Sequence, residues 1–331
     1  MVTVVQHDRA ASYLQAAAGG YFPRNEPPRR SCTVSTRSLR VWGLLAAGAL
    51  SVTSLAACAD NTASEGSGAP SAAVTQDEEL AGLVPDGIAE RGTLTVGTDP
   101  TYAPNEFQDD ANKIVGFDID LFDAVAGKLG LTAEYQASTF DNIIPSVQSG
   151  SYDVGVSSFT DNAEREEVVD MITYFEAGTQ WAQAAGGDVD PESPCGLTVA
   201  VQTGTVQLEE LTARSEECTA AGEEAIDILQ FDDQGQATNS VTLGQAQAVL
   251  ADSPVMAYAV QQSNGALELT GEVYDAAPYG YVVGKESGLS EALQAAVQSL
   301  IEDGTYAEIL ETWGLSDGAV SESEINGASG T

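Results

Sequence analysis

The chain has 331 residues, with 12 Lys and Arg against 50 Asp and Glu and a formal net charge of −38. A molecule this acidic repels nucleic-acid phosphates and anionic lipid, which excludes both as partners held by charge. Its single histidine, His7, lies in the opening segment, so Ser-His-Asp, Cys-His and His-zinc chemistry are excluded for the rest of the chain. Carboxylate-based catalysis stays open.

Residues 1–57 read as a leader. The apolar run Val41-Trp42-Gly43-Leu44-Leu45-Ala46-Ala47-Gly48-Ala49-Leu50 follows Arg37 and Arg40 and is too short and too rich in Ala and Gly for a membrane span. It ends in Leu55-Ala56-Ala57-Cys58, which is similar to a bacterial lipobox and makes Cys58 the expected lipidated N-terminus. Residues 1–33 lack periodicity, which places the expected translation start near Val34. Residues 58–85 are rich in Ala, Ser, Gly and acid and read as a flexible tether; residues 317–331 have the same composition and read as a disordered tail.

Between them, strand and helix patterns alternate. Thr93–Gly97 alternates as a strand, and Thr98–Pro104 is a loop with two prolines. From Gly116 to Gly130, Phe117, Leu121, Val125 and Leu129 recur every four residues on one helical face. Asp118 and Asp120 fall in its first turn, point to different faces, and are expected to complement the helix dipole. A strand near Leu131–Tyr135, a helix Asp141–Ser149 and a strand Tyr152–Val156 follow. A second unit brings strand Leu197–Val201, helix Val206–Arg214, strand Ile226–Phe231, helix Asn239–Gln247 and strand Ala248–Ala251. Ser253 then reads as the cap of a helix with Pro254 at its first position. Strand Tyr279–Val283 and helices Ser290–Ile301 and Thr305–Trp313 close the pattern.

Two runs of strand and helix imply an α/β protein of two lobes, each a mostly parallel sheet flanked by helices. The expected division is 86–182 for the first part of lobe 1, 183–276 for lobe 2 and 277–316 for a return segment to lobe 1. Ligands of such sheets bind beyond the carboxyl ends of strands. Four polar loops hold that position: Thr98–Tyr102, Ser157–Arg165, Gln202–Thr205 and Asp252. Ser157, Ser158 and Thr160 supply hydroxyls, and Arg165 can grip a carboxylate. Arg165 stands out because half of the 12 basic residues but only two of the 50 acidic ones lie within residues 1–57, leaving six basic residues against 48 acidic ones beyond. Cys195 and Cys218 form an even pair in an exported chain once Cys58 is lipidated, and a disulfide between them is the expectation.

From Gly92 to Gly314 the chain resembles the family 3 extracellular solute-binding proteins, the amino-acid receptors of ABC importers. The likeness rests on Gly116-Phe117-Asp118-Ile119-Asp120-Leu121, Gly97–Pro104, Ile144-Pro145-Ser146-Val147, Tyr152-Asp153-Val154, Ser157–Thr160 with Arg165, and Val201–Thr205. It implies a hinged, type II periplasmic-binding-protein-like fold that closes over a free amino acid. By the resemblance, Arg165 binds the ligand carboxylate with backbone N–H groups near Thr160 and Val206. Asp252 takes the ammonium with help from the Ser157 segment. Tyr102 and Phe140 flank the ligand side chain, and Asp99, Gln202 and Thr205 lie close to it. It further implies a monomeric lipoprotein on the outer face of the cell membrane that delivers a polar or charged amino acid to a permease. The chain departs from the family where Asn105 replaces the phenylalanine of Pro-Phe-Glu, implying a more polar pocket wall, and where Val206 replaces a second threonine. The alternative is an enzyme of the cyclohexadienyl dehydratase type, with Asp252 as its acid. An acid paired to an ammonium stays ionised, which argues against that role.

Overall fold

The computed structural model describes residues 74–328. The expected leader, Cys58 and the tether up to residue 73 lie outside the described residues. Among those described, no helix is long and apolar enough to cross a membrane.

In chain order the elements are α1 (Glu78–Ala81), α2 (Asp86–Arg91), β1 (Thr93–Thr98), β2 (Thr101–Tyr102), β3 (Glu106–Gln108), β4 (Ile114–Val115), α3 (Phe117–Lys128), β5 (Thr132–Ala137), α4 (Phe140–Gln148), β6 (Val154–Gly155) and α5 (Ala163–Val168). Strand β7 (Asp170–Ala184) leads to β8 (Thr198–Gln202), α6 (Val206–Ala221), β9 (Asp227–Phe231), α7 (Gln234–Thr242), β10 (Ala248–Asp252) and α8 (Ser253–Gln262). Strand β11 (Leu267–Val283) returns, and α9 (Ser290–Asp303) and α10 (Thr305–Trp313) follow.

The main sheet has the order β5-β1-β6-β11-β7-β10-β8-β9. Strands β5, β1 and β6 are parallel in one lobe, and β10, β8 and β9 are parallel in the other. The long antiparallel pair β7 and β11 runs through both. Strand β7 stays paired with β11 through both lobes, Asp170–Ala177 with its end and Thr179–Ala184 with its start, and Thr179–Gln183 also pair with β10 on the other edge. The ladder breaks between Thr270 and Tyr274 and again between Tyr274 and Ala277. The lobes therefore meet near Ala177–Thr179 and Tyr274–Ala277. The first crossing comes before the expected boundary at 182, because a single strand serves both lobes. Lobe 1 has its main core around Phe117, Leu121, Phe122, Tyr174, Tyr281 and Leu293, while lobe 2 packs both faces of its sheet, around Val249 on one and Trp181 on the other. Cys195 and Cys218 are disulfide-bonded, fixing the start of β8 to α6.

Several local expectations are corrected. Helix α7 starts at Gln234 rather than Asn239, because Asp233 caps it by accepting from the Gln236 N–H at 2.8 Å. Asp252, not Ser253, occupies the cap position of α8, and its side chain makes no capping bond. The expected tether is ordered from Val74: the Asp77 N–H donates to Lys128 O at 2.9 Å and Val84 is buried. The expected tail is also ordered as far as Ala328. Ser323 is buried, Ile325 bridges Ile172, and the Thr173 N–H donates to Glu324 O at 2.9 Å. Both segments are polar in composition yet are held through their backbones, which composition does not report.

One glycine sets the path of the signature helix. Gly116 has φ 142°, and a Cβ there would stand 2.1 Å from the Asn105 carbonyl oxygen. The close approach brings Asp118 beneath the Ser157–Ser158 turn. Gly116→Ala is expected to lower unfolding free energy by about 2 kcal/mol or more, through left-handed strain and the clash. The urea midpoint, read by circular dichroism, checks it.

Candidate functional site

Residues from both lobes converge on one pocket, lined by Asp99, Tyr102, Phe140, Ser157, Ser158, Thr160, Arg165, Gln202, Thr205, Val206 and Asp252. All eleven positions singled out from the sequence are therefore neighbours. Two residues that the sequence reading missed, Glu106 and Gln207, complete the lining.

Arg165 sits in α5, whose start is fixed by Asn162: its Oδ1 accepts from the Arg165 N–H at 2.9 Å. The guanidinium donates through Nη1 to Thr160 O at 2.7 Å and through Nη2 to Gly204 O at 3.2 Å, across the lobes. Its carbon lies 5.6 Å from the ring centres of both Phe140 and Phe159. These two rings stack on each other at 4.5 Å. Burial pulls the Arg165 pKa down from its ordinary value, opposed by the charges of Glu209 and Asp252. Among the described residues, four basic side chains form ion pairs: Arg91 with Asp153, Lys128 with Asp303, Arg214 with Glu210 and Lys285 with Asp170. Arg165 takes part in none of them. Beside it is the first turn of the sixteen-residue α6, capped by Thr205, whose Oγ1 accepts from the Leu208 N–H at 3.2 Å. Arginine and a helix N-terminus together favour an anion.

Asp252 faces them from the end of β10. Its oxygens accept from Tyr102 OH at 2.8 Å and from Gln207 Nε2 at 2.8 Å, and burial raises its pKa. Tyr102 does more than flank the pocket, as the sequence suggested. It reaches from lobe 1 into the apolar cluster of lobe 2 with Val255 and Met256, and its hydroxyl also accepts from the Asp252 N–H at 3.1 Å. A second link joins the lobes where Gln202 Nε2 donates to Asp99 Oδ2 at 2.6 Å. The Asp99 carboxyl is pushed up to about 6, chiefly by burial.

The serine turn rests on a buried pair of carboxyls. Ser157 Oγ donates to Glu106 Oε1 at 2.9 Å and accepts from the Asp99 N–H at 3.0 Å. Ser158 is left-handed, φ 50°, a conformation held by its N–H donating to Asp118 Oδ2 at 2.9 Å. Tyr174 OH donates to the same oxygen at 2.8 Å. Asp118 lies in the first turn of α3 as expected, and it is also a fully buried anchor, with a pKa pushed up to about 6 by burial. Burial, then the charge of Asp118, lifts Glu106 well above the usual carboxylate range. Asn105 is fully buried too. It braces Ser158, donating through Nδ2 to its Oγ at 2.8 Å, rather than forming a polar pocket wall. Asp120, two residues from Asp118, instead accepts from Trp313 Nε1 at 2.9 Å.

Hinged strands, a pocket lined from both lobes, and an arginine opposed to carboxylates define a ligand-binding protein that closes on its solute. The sequence profile of the bacterial extracellular solute-binding proteins, family 3, matches residues 94–316, and the chain belongs to that family. Its fold and extracytoplasmic location are those of the family. The arginine-binding protein ArgT of Corynebacterium glutamicum is 44% identical over 251 residues, covering 75% of this chain and 83% of that one. Among solved structures, an ancestral arginine-binding protein bound to arginine is 37% identical with a TM-score of 0.63, covering 67% of this chain and 98% of that one. An ancestral amino acid-binding protein described as a precursor of cyclohexadienyl dehydratase is 31% identical with a TM-score of 0.60, covering 69% and 98%.

The buried carboxyls set a pH dependence. Asp99 and Asp118 rise from an ordinary value of 3.8 to about 6, and Asp161 to about 7. The folded chain then binds protons more tightly than the unfolded chain between these limits. Their contribution is fully present below the unfolded value and is lost as pH rises through 6 to 7. The urea midpoint should accordingly be higher at about pH 5 than at about pH 8. Asp99→Asn should flatten that slope; an unchanged slope would contradict the assignment.

Proposed function

We propose that the protein captures a free amino acid with a cationic side chain, arginine or a close analogue, and delivers it to the permease of an ABC importer. A lipid on Cys58 anchors it at the outer membrane face. The observation that carries the reading is the charge balance of the pocket: one guanidinium outside any ion pair faces the carboxyls of Asp99, Glu106 and Asp252. A zwitterion leaves water only when both charges find partners. Arg165 and the start of α6 suit the α-carboxylate, and Asp252 suits the ammonium. That leaves Asp99 and Glu106, whose burial without a counter-charge is unfavourable and is relieved by a third, positive group on the ligand. The arginine-binding relatives agree with this chemistry.

An acid catalyst in the same pocket needs a carboxyl free to donate a proton. Burial raises the Asp252 pKa, but both its oxygens are engaged as acceptors, from Tyr102 and Gln207, which opposes that rise and leaves neither aimed at a leaving group. Binding without turnover is the better reading.

Calorimetry against the twenty amino acids tests it. L-arginine should bind, and a chain that binds none of them would overturn the proposal. Arg165→Ala should weaken binding roughly 100-fold or more, since removing one partner of a buried charge pair costs about 3 kcal/mol or more. The variant should remain folded by circular dichroism. Asp99→Asn should weaken L-arginine roughly tenfold while changing L-glutamine little, because only the former places a cation beside it.

A further inference from the structure

The family match ends at residue 316, yet the chain continues as an ordered strap across lobe 1. Its early part is bound to the helices and to β7. The Val320 N–H donates to Tyr306 OH at 3.0 Å, the Ser323 N–H to Gln298 Oε1 at 3.1 Å, and Ser323 Oγ to Thr173 O at 2.7 Å. The Asn326 N–H donates to Met171 O at 2.8 Å, while its Oδ1 accepts from the Met171 N–H at 2.9 Å. These bonds suffice to fix the strap to the lobe. The last two contacts fall elsewhere. The Gly327 N–H donates to Asp161 Oδ2 at 3.0 Å, and the Ala328 N–H donates to Glu166 Oε1 at 2.9 Å.

Asp161 and Glu166 bracket Arg165. Asp161 directly follows Thr160, whose carbonyl accepts from the Arg165 guanidinium, and Glu166 directly follows Arg165 itself. They stand near enough to each other for Glu166 to raise the Asp161 pKa, and Asp161 near enough to Arg165 to be felt by it. Asp161 is the local competitor for the one guanidinium the pocket holds; Glu166, next to Arg165 on the helix, points to another face and acts on Asp161 instead.

We infer that the C-terminal strap, residues 319–328, is a positioning element of the binding site: by donating backbone N–H groups to Asp161 and to its neighbour Glu166, it keeps the Asp161 carboxylate off Arg165 and leaves the guanidinium for the ligand carboxylate. The inference rests on the amino-acid reading proposed above. The Asp161 carboxylate, released from its N–H partner, has a strong alternative partner four residues away in Arg165. An internal ion pair so formed must be broken before a ligand can bind, which weakens affinity without unfolding the lobe.

The test compares L-arginine with L-argininamide, which lacks the α-carboxylate, by calorimetry on the full chain and on a variant carrying Gly327→Pro and Ala328→Pro. That variant removes both N–H donors, and the proline at 327 also crowds Thr173 Oγ1, 2.8 Å from a Cβ there; restoration by charge-removing substitutions separates the two effects. L-arginine should bind the variant roughly three- to tenfold more weakly, the scale of one or two hydrogen bonds, while L-argininamide is unaffected. Adding Asp161→Asn and Glu166→Gln should restore L-arginine affinity by removing the competitor and the charge beside it. A deletion of residues 322–331 should repeat the pattern where it folds. Equal weakening of both ligands, no weakening at all, or failure of the double substitution to restore binding would each overturn the inference. An unmodified chain that binds neither ligand would overturn the ligand reading itself, a result distinct from these.

Discussion

A guanidinium set beside a stacked pair of phenylalanine rings, with carbonyl oxygens as its polar partners, is the constraint on which the site depends. Arg165 keeps its charge at any physiological pH. The Thr160 and Gly204 carbonyls satisfy some of its N–H groups but bring no negative charge. Stacking beside Phe140 and Phe159 removes water that would otherwise solvate it. The resulting demand for an anion is directed to the pocket, because the start of α6 lies on the same side.

The acidic side of the pocket obeys the converse rule. Asp99, Glu106, Asp118 and Asp252 are all buried, and their hydrogen bonds come from neutral donors: Gln202, Ser157, Ser158, Tyr174, Tyr102 and Gln207. The four ion pairs among the described residues, Arg214–Glu210 among them, all lie elsewhere. Neutral donors hold a carboxylate in place without cancelling its field, so negative potential survives for a ligand to meet. The serine turn shows how rigid the arrangement is. Ser158 takes a left-handed conformation that a lone serine would leave, and Asp118 and Asn105 hold it there from below.

What the sequence revealed and concealed follows from the range of each signal. Helix α10 is bounded as expected at Thr305 and Trp313, and α3 nearly so, because caps and four-residue periodicity are local. Strand β7, of 15 residues, escaped recognition and only Tyr279–Val283 of the 17-residue β11 was read as strand, because both run through two lobes and their burial patterns do not alternate. Arg165 was legible through scarcity, and Asp252 through its place after a strand. Glu106 and Gln207 carried no local pattern: Gln207 looks like any second residue of a helix until Asp252, 45 positions away, is beside it. The anchoring role of Asp118 was missed for the same reason. Helical geometry separates it from Asp120 correctly, but its partner is Ser158, 40 positions on.

Closure itself is finely balanced. The bonds that cross between lobes, Tyr102 to Asp252, Gln202 to Asp99, Arg165 to Gly204 and the Gln234 N–H to Thr101, are few. Each neutral hydrogen bond contributes about 0.5–1.5 kcal/mol net, and bonds to charged groups about 1.5–3 kcal/mol. The hinge opposes them weakly, since β7 and β11 already lack regular pairing where the lobes meet. Moving such an equilibrium from mostly open to mostly closed takes about 5.5 kcal/mol of differential binding. Two or three charge-assisted contacts that form only when both lobes surround the ligand lie on that scale. A ligand lacking either end charge forfeits one of them, so a pocket that grips both poles reports the identity of its solute through the position of its hinge.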